Sequence, residues 1–115
     1  MFTCNQTGFQ MLFSNGIRIS VQFGEGNYCD NRFRPARSGQ TIFNATTAEI
    51  AIMPDNDASS AEWFNFGCDQ VKGWVSTNEV ANWISIVSSC PSWDELMKRQ
   101  ALILLTMNMM HREEE

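Results

Sequence analysis

Two runs of alternating side chains meet at an Asn-Gly pair, and no other feature of the chain restricts its fold as much. Phe9, Met11 and Phe13 alternate with polar or smaller residues; Ile17, Ile19, Val21 and Phe23 alternate with Arg18, Ser20 and Gln22. A period of two marks half-buried strands. A two-residue turn at Asn15-Gly16 would pair Ser14 with Ile17 and send the two apolar sets to opposite faces. A three-residue loop, Ser14-Asn15-Gly16, pairs Phe13 with Ile17, Met11 with Ile19 and Phe9 with Val21, so that all six share one face. A single core requires the second register, with Gly16 in the left-handed conformation that glycine tolerates best. Arg18, Ser20 and Gln22 then occupy the other face.

The chain has 115 residues, 43% of them apolar and 11% aromatic. That is enough for one domain with one core, and it argues against disorder. After the hairpin, residues 24–31 (Gly-Glu-Gly-Asn-Tyr-Cys-Asp-Asn) are rich in turn formers, and residues 32–44 read as a long basic loop. Alternation over 47–53 predicts a third strand. Residues 54–60 read as a turn, 62–66 (Glu-Trp-Phe-Asn-Phe) as a fourth strand, and 71–75 as a short fifth. Ser76-Thr77-Asn78-Glu79 and Ser92-Trp93-Asp94-Glu95 are capping boxes. They open predicted helices over about 77–89 and 93–110. The expectation is a single α+β domain over residues 1–115, with an antiparallel sheet of four to five strands that begins with a hairpin and is followed by two C-terminal helices.

The second helix is apolar around its circumference at Ala101-Leu102-Ile103-Leu104-Leu105. One face suffices to pack against a small core, so Leu102, Ile103, Leu105 and Met109 are expected at a homo-oligomer interface, with a helix wedged between sheet and loop as the alternative. The closing Glu113-Glu114-Glu115 reads as a solvated, fraying tail.

The net charge is −5 and unevenly spread. Residues 1–47 carry Arg18, Arg32, Arg34 and Arg37 against Glu25 and Asp30, a balance of +2, whereas residues 48–115 stand at −7. An acidic whole argues against binding long nucleic acid, where phosphate neutralisation dominates. The basic first half suits a small anion. The N-terminus lacks the basic and apolar regions of a signal peptide, and no apolar run is long enough to span a bilayer. A cytosolic protein without a membrane partner is expected.

Catalytic chemistry is hard to assemble. His111 is the one histidine and reads as a surface residue. No Ser-His-Asp, Cys-His or His-Glu-x-x-His pattern is present. Cys4, Cys29, Cys68 and Cys90 lack the close pairing of zinc ligands and read as buried free thiols. Asp55-Asn56-Asp57 lacks the spacing of a calcium loop, and Gly24-Glu25-Gly26 lacks the third glycine of a dinucleotide fingerprint. No metal, no cofactor and no enzymatic turnover are expected. The constellation that remains is basic and aromatic. Tyr28, Asn31, Arg32, Phe33, Arg34 and Arg37 lie in the long loop, Arg18 on the hairpin, and Trp63, Lys72 and Trp74 farther on. Guanidinium forks suit phosphates, and Tyr or Trp faces suit stacked bases. Arg18, Tyr28, Asn31, Arg32, Arg34, Arg37, Trp63, Lys72 and Trp74 are the candidate ligand-binding residues; a solvated loop over core aromatics is the alternative.

The stretch Asn15-Gly16-Ile17-Arg18-Ile19-Ser20-Val21-Gln22-Phe23-Gly24-Glu25-Gly26-Asn27-Tyr28-Cys29-Asp30-Asn31-Arg32, together with Val71-Lys72-Gly73-Trp74-Val75-Ser76-Thr77-Asn78-Glu79-Val80-Ala81, resembles small uncharacterised proteins encoded by bacteriophages. The resemblance spans roughly residues 9–87. It implies expression in the cytoplasm of an infected bacterium. In size and plan the chain is also similar to phage anti-defence sponges, including the anti-Thoeris type, which sequester cyclic ADP-ribose or cyclic-nucleotide immune signals. That similarity implies a homo-oligomer binding a small phosphorylated nucleotide. Two alternatives stand beside it: an inhibitor that uses the acidic second half to bind a host defence nuclease or effector, and a phage structural protein.

Overall fold

The computed structural model describes residues 1–55 and 62–112. Most of the expected 54–60 turn, including Asn56 and Asp57, and the Glu113-Glu114-Glu115 tail lie outside the described residues. Five antiparallel strands form one sheet in sequence order: β1 (Phe2–Asn5), β2 (Gly8–Leu12), β3 (Ile17–Gln22), β4 (Thr47–Pro54) and β5 (Lys72–Ser76). Three helices follow: α1 (Thr77–Ser89), α2 (Trp93–Lys98) and α3 (Gln100–His111). The α+β class and the antiparallel sheet agree with the sequence.

The hairpin takes the three-residue loop. Phe9 pairs with Val21 and Met11 with Ile19. Phe13 N donates to Ile17 O at 3.0 Å, Gly16 N donates to Phe13 O at 3.0 Å, and Gly16 has φ +80°. Ile17, Ile19 and Val21 are buried, with Phe9, Met11 and Phe13 packed at the core's margin. Asn15 gives the turn a second task. Its Nδ2 donates to Val87 O and Cys90 O, both at 2.8 Å, and its Oδ1 accepts from Ile17 N at 3.0 Å. The turn thereby closes the C-terminal carbonyls of α1, which would otherwise lack partners.

The sequence does not announce β1. Its four residues are exposed, so no buried face reveals it, and the hairpin that opens the sheet is β1–β2. The fourth strand expected at 62–66 is not formed. That segment is irregular, with one sheet-like bond from Phe64 N to Ile52 O at 2.9 Å. Its aromatic content, which favours strands, serves as a plug. Phe64, Phe66 and Trp83 of α1 meet edge to face with centroids 5.2–5.5 Å apart.

Ser76 and Ser92 cap α1 and α2 as expected, each hydroxyl accepting from the N–H three residues on at 3.2 Å. The long helix expected at 93–110 is broken at Arg99 (φ −94°, ψ 4°), whose N–H is shared between Glu95 O and Leu96 O. Leu96, Ile103 and Met107 face the core. Ile103 is therefore a core residue and not part of an exposed interface, whereas Leu102, Leu105, Met109 and Met110 are more than half exposed. His111 is buried rather than on the surface, with Nε2 2.9 Å from Asn82 Nδ2. Cys29 and Cys90 are buried free thiols as expected, but Cys4 and Cys68 are exposed. Among the described residues no helix is long and apolar enough to cross a membrane.

Candidate functional site

The connection between β3 and β4 is long, and its own side chains fold it. Asp30 accepts from Thr46 N at 3.1 Å and from the Thr46 and Thr47 hydroxyls. Glu49, on β4, accepts from Tyr28 N at 2.7 Å and Asn27 Nδ2 at 3.3 Å. Asn31 Nδ2 donates to Phe23 O at 2.8 Å and Asn44 O at 2.9 Å, which ties the two ends of the connection together. Cys29 is buried beneath the loop. These residues satisfy backbone groups that a strand ladder would otherwise satisfy. The loop is thus held in place without using its arginines.

The loop encloses an open groove of about 780 Å³. Asn31, Arg34 and Arg37 line it, with Gly24, Glu25, Asn27 and Phe43 from the same connection and Gln6 and Thr7 from the β1–β2 turn. Gln6 and Thr7 went unread because β1 did. The remaining aromatic candidates lie apart from the groove walls. Arg32 Cζ stands 4.3 Å from the Tyr28 ring centroid and 4.7 Å from that of Phe33, and Tyr28 and Trp74 have centroids 5.8 Å apart at 39°. Phe33, Arg32, Tyr28 and Trp74 form one continuous chain of ring and guanidinium contacts, called the stack below. Phe33 belongs to the basic and aromatic constellation of the sequence without being one of the nine candidates, and nothing in the sequence marks its left-handed backbone.

The structure thus divides the nine candidates. Asn31, Arg34 and Arg37 share the groove, and Tyr28, Arg32 and Trp74 share the stack. Arg18 joins neither. It lies on the sheet face away from the helices, where its guanidinium meets Asp55 Oδ1 at 2.6 Å and Gln10 Oε1 at 3.1 Å. Lys72 is committed to Glu79 at 2.7 Å, and the same carboxylate oxygen accepts from Trp83 Nε1 at 2.9 Å. Trp63 is half-buried and does not line the groove.

Charge pairing separates the groups further. Arg18, Lys72, Lys98 and Arg99 each reach a carboxylate within 3.6 Å. Arg32, Arg34 and Arg37 reach none among the described residues. In a chain of net charge −5, three guanidinium groups close in sequence that reach no carboxylate among the described residues leave the loop a positive balance over Glu25 and Asp30. Of these, Arg34 and Arg37 offer forked donors to the groove. No family model, no curated protein and no solved structure matches this chain.

Proposed function

We propose that this chain is a non-catalytic binding protein that sequesters a small phosphorylated nucleotide, with the phosphates held by Arg34 and Arg37 in the β3–β4 groove. One observation carries the reading: the loop's guanidinium groups reach no carboxylate among the described residues, while Arg18, Lys72, Lys98 and Arg99 do. Guanidinium forks that reach no carboxylate among the described residues match phosphate oxygens bidentately. In the phage setting implied by the sequence resemblance, the protein acts as a sink for a cyclic-nucleotide or cyclic ADP-ribose signal in the cytoplasm of the infected host. A sink needs affinity and not turnover.

Self-association through α3 belongs to the same reading, with a second copy as the occupant. Leu102, Leu105 and Met109 recur at a spacing that gathers them on one exposed stripe. Residues 100–110 carry no charge, so two copies of an acidic chain meet there without like-charge repulsion.

Calorimetry against cyclic nucleotides and the cyclic isomers of ADP-ribose tests the ligand. Binding is expected, and Arg34→Gln/Arg37→Gln weakens it by about 100-fold, since a charged hydrogen bond contributes roughly 1.5–3 kcal/mol. Folded protein that gives no heat with any of these compounds overturns the reading. Native mass spectrometry of the wild type and Leu105→Glu tests the assembly; a monomeric wild type removes the α3 interface.

A further inference from the structure

Phe33 (φ 65°) and Trp74 (φ 50°) are the non-glycine residues among those described that have positive φ. Left-handed backbone is unfavourable for large side chains and persists where the surroundings impose it. Burial of the ring is the usual compensation, yet Phe33 is 80% and Trp74 57% exposed. These same two residues end the stack, with Arg32 and Tyr28 between them. The two strained positions in the described chain therefore present the two outer rings of one cluster.

The cluster is held from its backbone. Phe33 N donates to Glu25 O at 3.0 Å, and Trp74 N donates to Tyr28 O at 2.8 Å. Gly73 lets β5 pass close beneath the loop, because a Cβ there would lie 2.6 Å from Tyr28 Cβ. The Arg32 guanidinium lies over both the Tyr28 and Phe33 rings and reaches no carboxylate among the described residues. A cation inside the stack repels cationic ligands, so the cluster is not a cage for an ammonium group. It favours a flat, electron-rich ring attached to negative charge. Arg34, which lines the groove, is the next residue after Phe33.

We infer that the Phe33–Arg32–Tyr28–Trp74 stack is a base-reading surface that takes the planar heterocycle of a nucleotide on an exposed face of Phe33 or Trp74, and that Arg32 serves as its internal filler rather than as a phosphate ligand. The inference rests on the nucleotide reading above and adds to it the group that tells a nucleotide from a bare sugar phosphate. Stacking is tolerant of base identity because every base has a π face. The surface selects for a ring and discriminates weakly among rings.

Three probes separate the two claims: adenosine, which has a base and no phosphate; ribose 5-phosphate, the reverse; and AMP, which has both. A stacked base is worth roughly 5- to 150-fold in affinity, so AMP binds at least 5-fold more tightly than ribose 5-phosphate. Phe33→Gly or Trp74→Gly, at whichever ring takes the base, abolishes that margin while ribose 5-phosphate still binds; glycine relieves the left-handed backbone at either position, and circular dichroism checks that each variant is folded. Adenosine shifts the Phe33 or the Trp74 ring resonances in the wild type and also in Arg34→Gln/Arg37→Gln. Equal binding of AMP and ribose 5-phosphate, glycine variants that keep the AMP margin, or adenosine without effect on either ring overturns the inference. Failure of the phosphate reading looks different: ribose 5-phosphate does not bind, the arginine variant changes nothing, and adenosine still shifts the rings.

Discussion

The two connections that flank β3 are built from similar polar residues and use them in opposite ways. At the hairpin, Asn15 spends its whole amide on the fold, with both donors on α1 carbonyls and its oxygen on Ile17 N. At the other end of the strand, Asp30, Asn31 and Glu49 hold the backbone from within, while Arg32, Arg34 and Arg37 are left without a carboxylate among the described residues. An amide consumed in this way has nothing left for a ligand. A loop whose anchors and exposed groups are different residues is both fixed and available, the combination that binding with little ordering cost requires.

The comparison breaks most visibly at Asn15. Asn15→Asp removes both donors and sets a carboxylate against two carbonyl oxygens, Val87 O and Cys90 O. An expected loss of about 3 kcal/mol reflects unsatisfied acceptors plus a poorly placed charge. Urea unfolding at neutral pH measures it, and nucleotide binding by the folded fraction stays at the wild-type value. A loss below about 1 kcal/mol would mean that the amide is dispensable to α1.

Gly73→Ala is the next largest. The new methyl would meet Tyr28 Cβ at 2.6 Å and Tyr28 O at 3.0 Å, so β5 and the loop must separate. Overpacking of this kind costs about 2 kcal/mol. The same separation pulls Trp74 from Tyr28, and near-ultraviolet circular dichroism should lose the signal of that pair. An unchanged spectrum would show that the loop and β5 move independently.

Glu49→Gln is milder, because one oxygen still accepts from Tyr28 N while the charge is lost. About 1 kcal/mol is expected, read as roughly fivefold faster hydrogen exchange at the Tyr28 amide with little change at Ile17 or Ile19. Faster exchange throughout the sheet would place Glu49 in the global fold rather than in the loop's anchorage.

What could be read from the sequence follows the core. The β2–β3 register was legible because one placement of six apolar side chains buries them together, and the caps at Ser76 and Ser92 were legible because they are local. β1 was not, since Phe2, Thr3, Cys4 and Asn5 are exposed and carry no burial pattern. The 62–66 segment misled because Trp63, Phe64 and Phe66 suit a strand locally, whereas packing against Trp83 decides their role. The break at Arg99 has neither Gly nor Pro to mark it. At the site, residue types pointed to phosphate and base, but partners decided membership. Arg18 and Lys72 look like Arg34 and Arg37 in sequence, and only the fold brings Asp55 and Glu79 to them.

That distinction yields the smallest stability effect and the sharpest test of the comparison. Arg34→Gln and Arg37→Gln remove side chains that reach no carboxylate among the described residues, so each should change stability by less than about 0.5 kcal/mol. Lys72→Gln strips the charged partner from a carboxylate that is buried beside Trp83 Nε1, and it should cost more than either loop variant. Equilibrium unfolding of the three variants side by side ranks them. If Arg34→Gln or Arg37→Gln destabilises as much as Lys72→Gln, the loop cations serve the fold as Asn15 does, and the contrast between the two connections disappears. If both loop variants are neutral in stability and impaired in nucleotide binding, the side chains are retained for what they hold rather than for what they hold together.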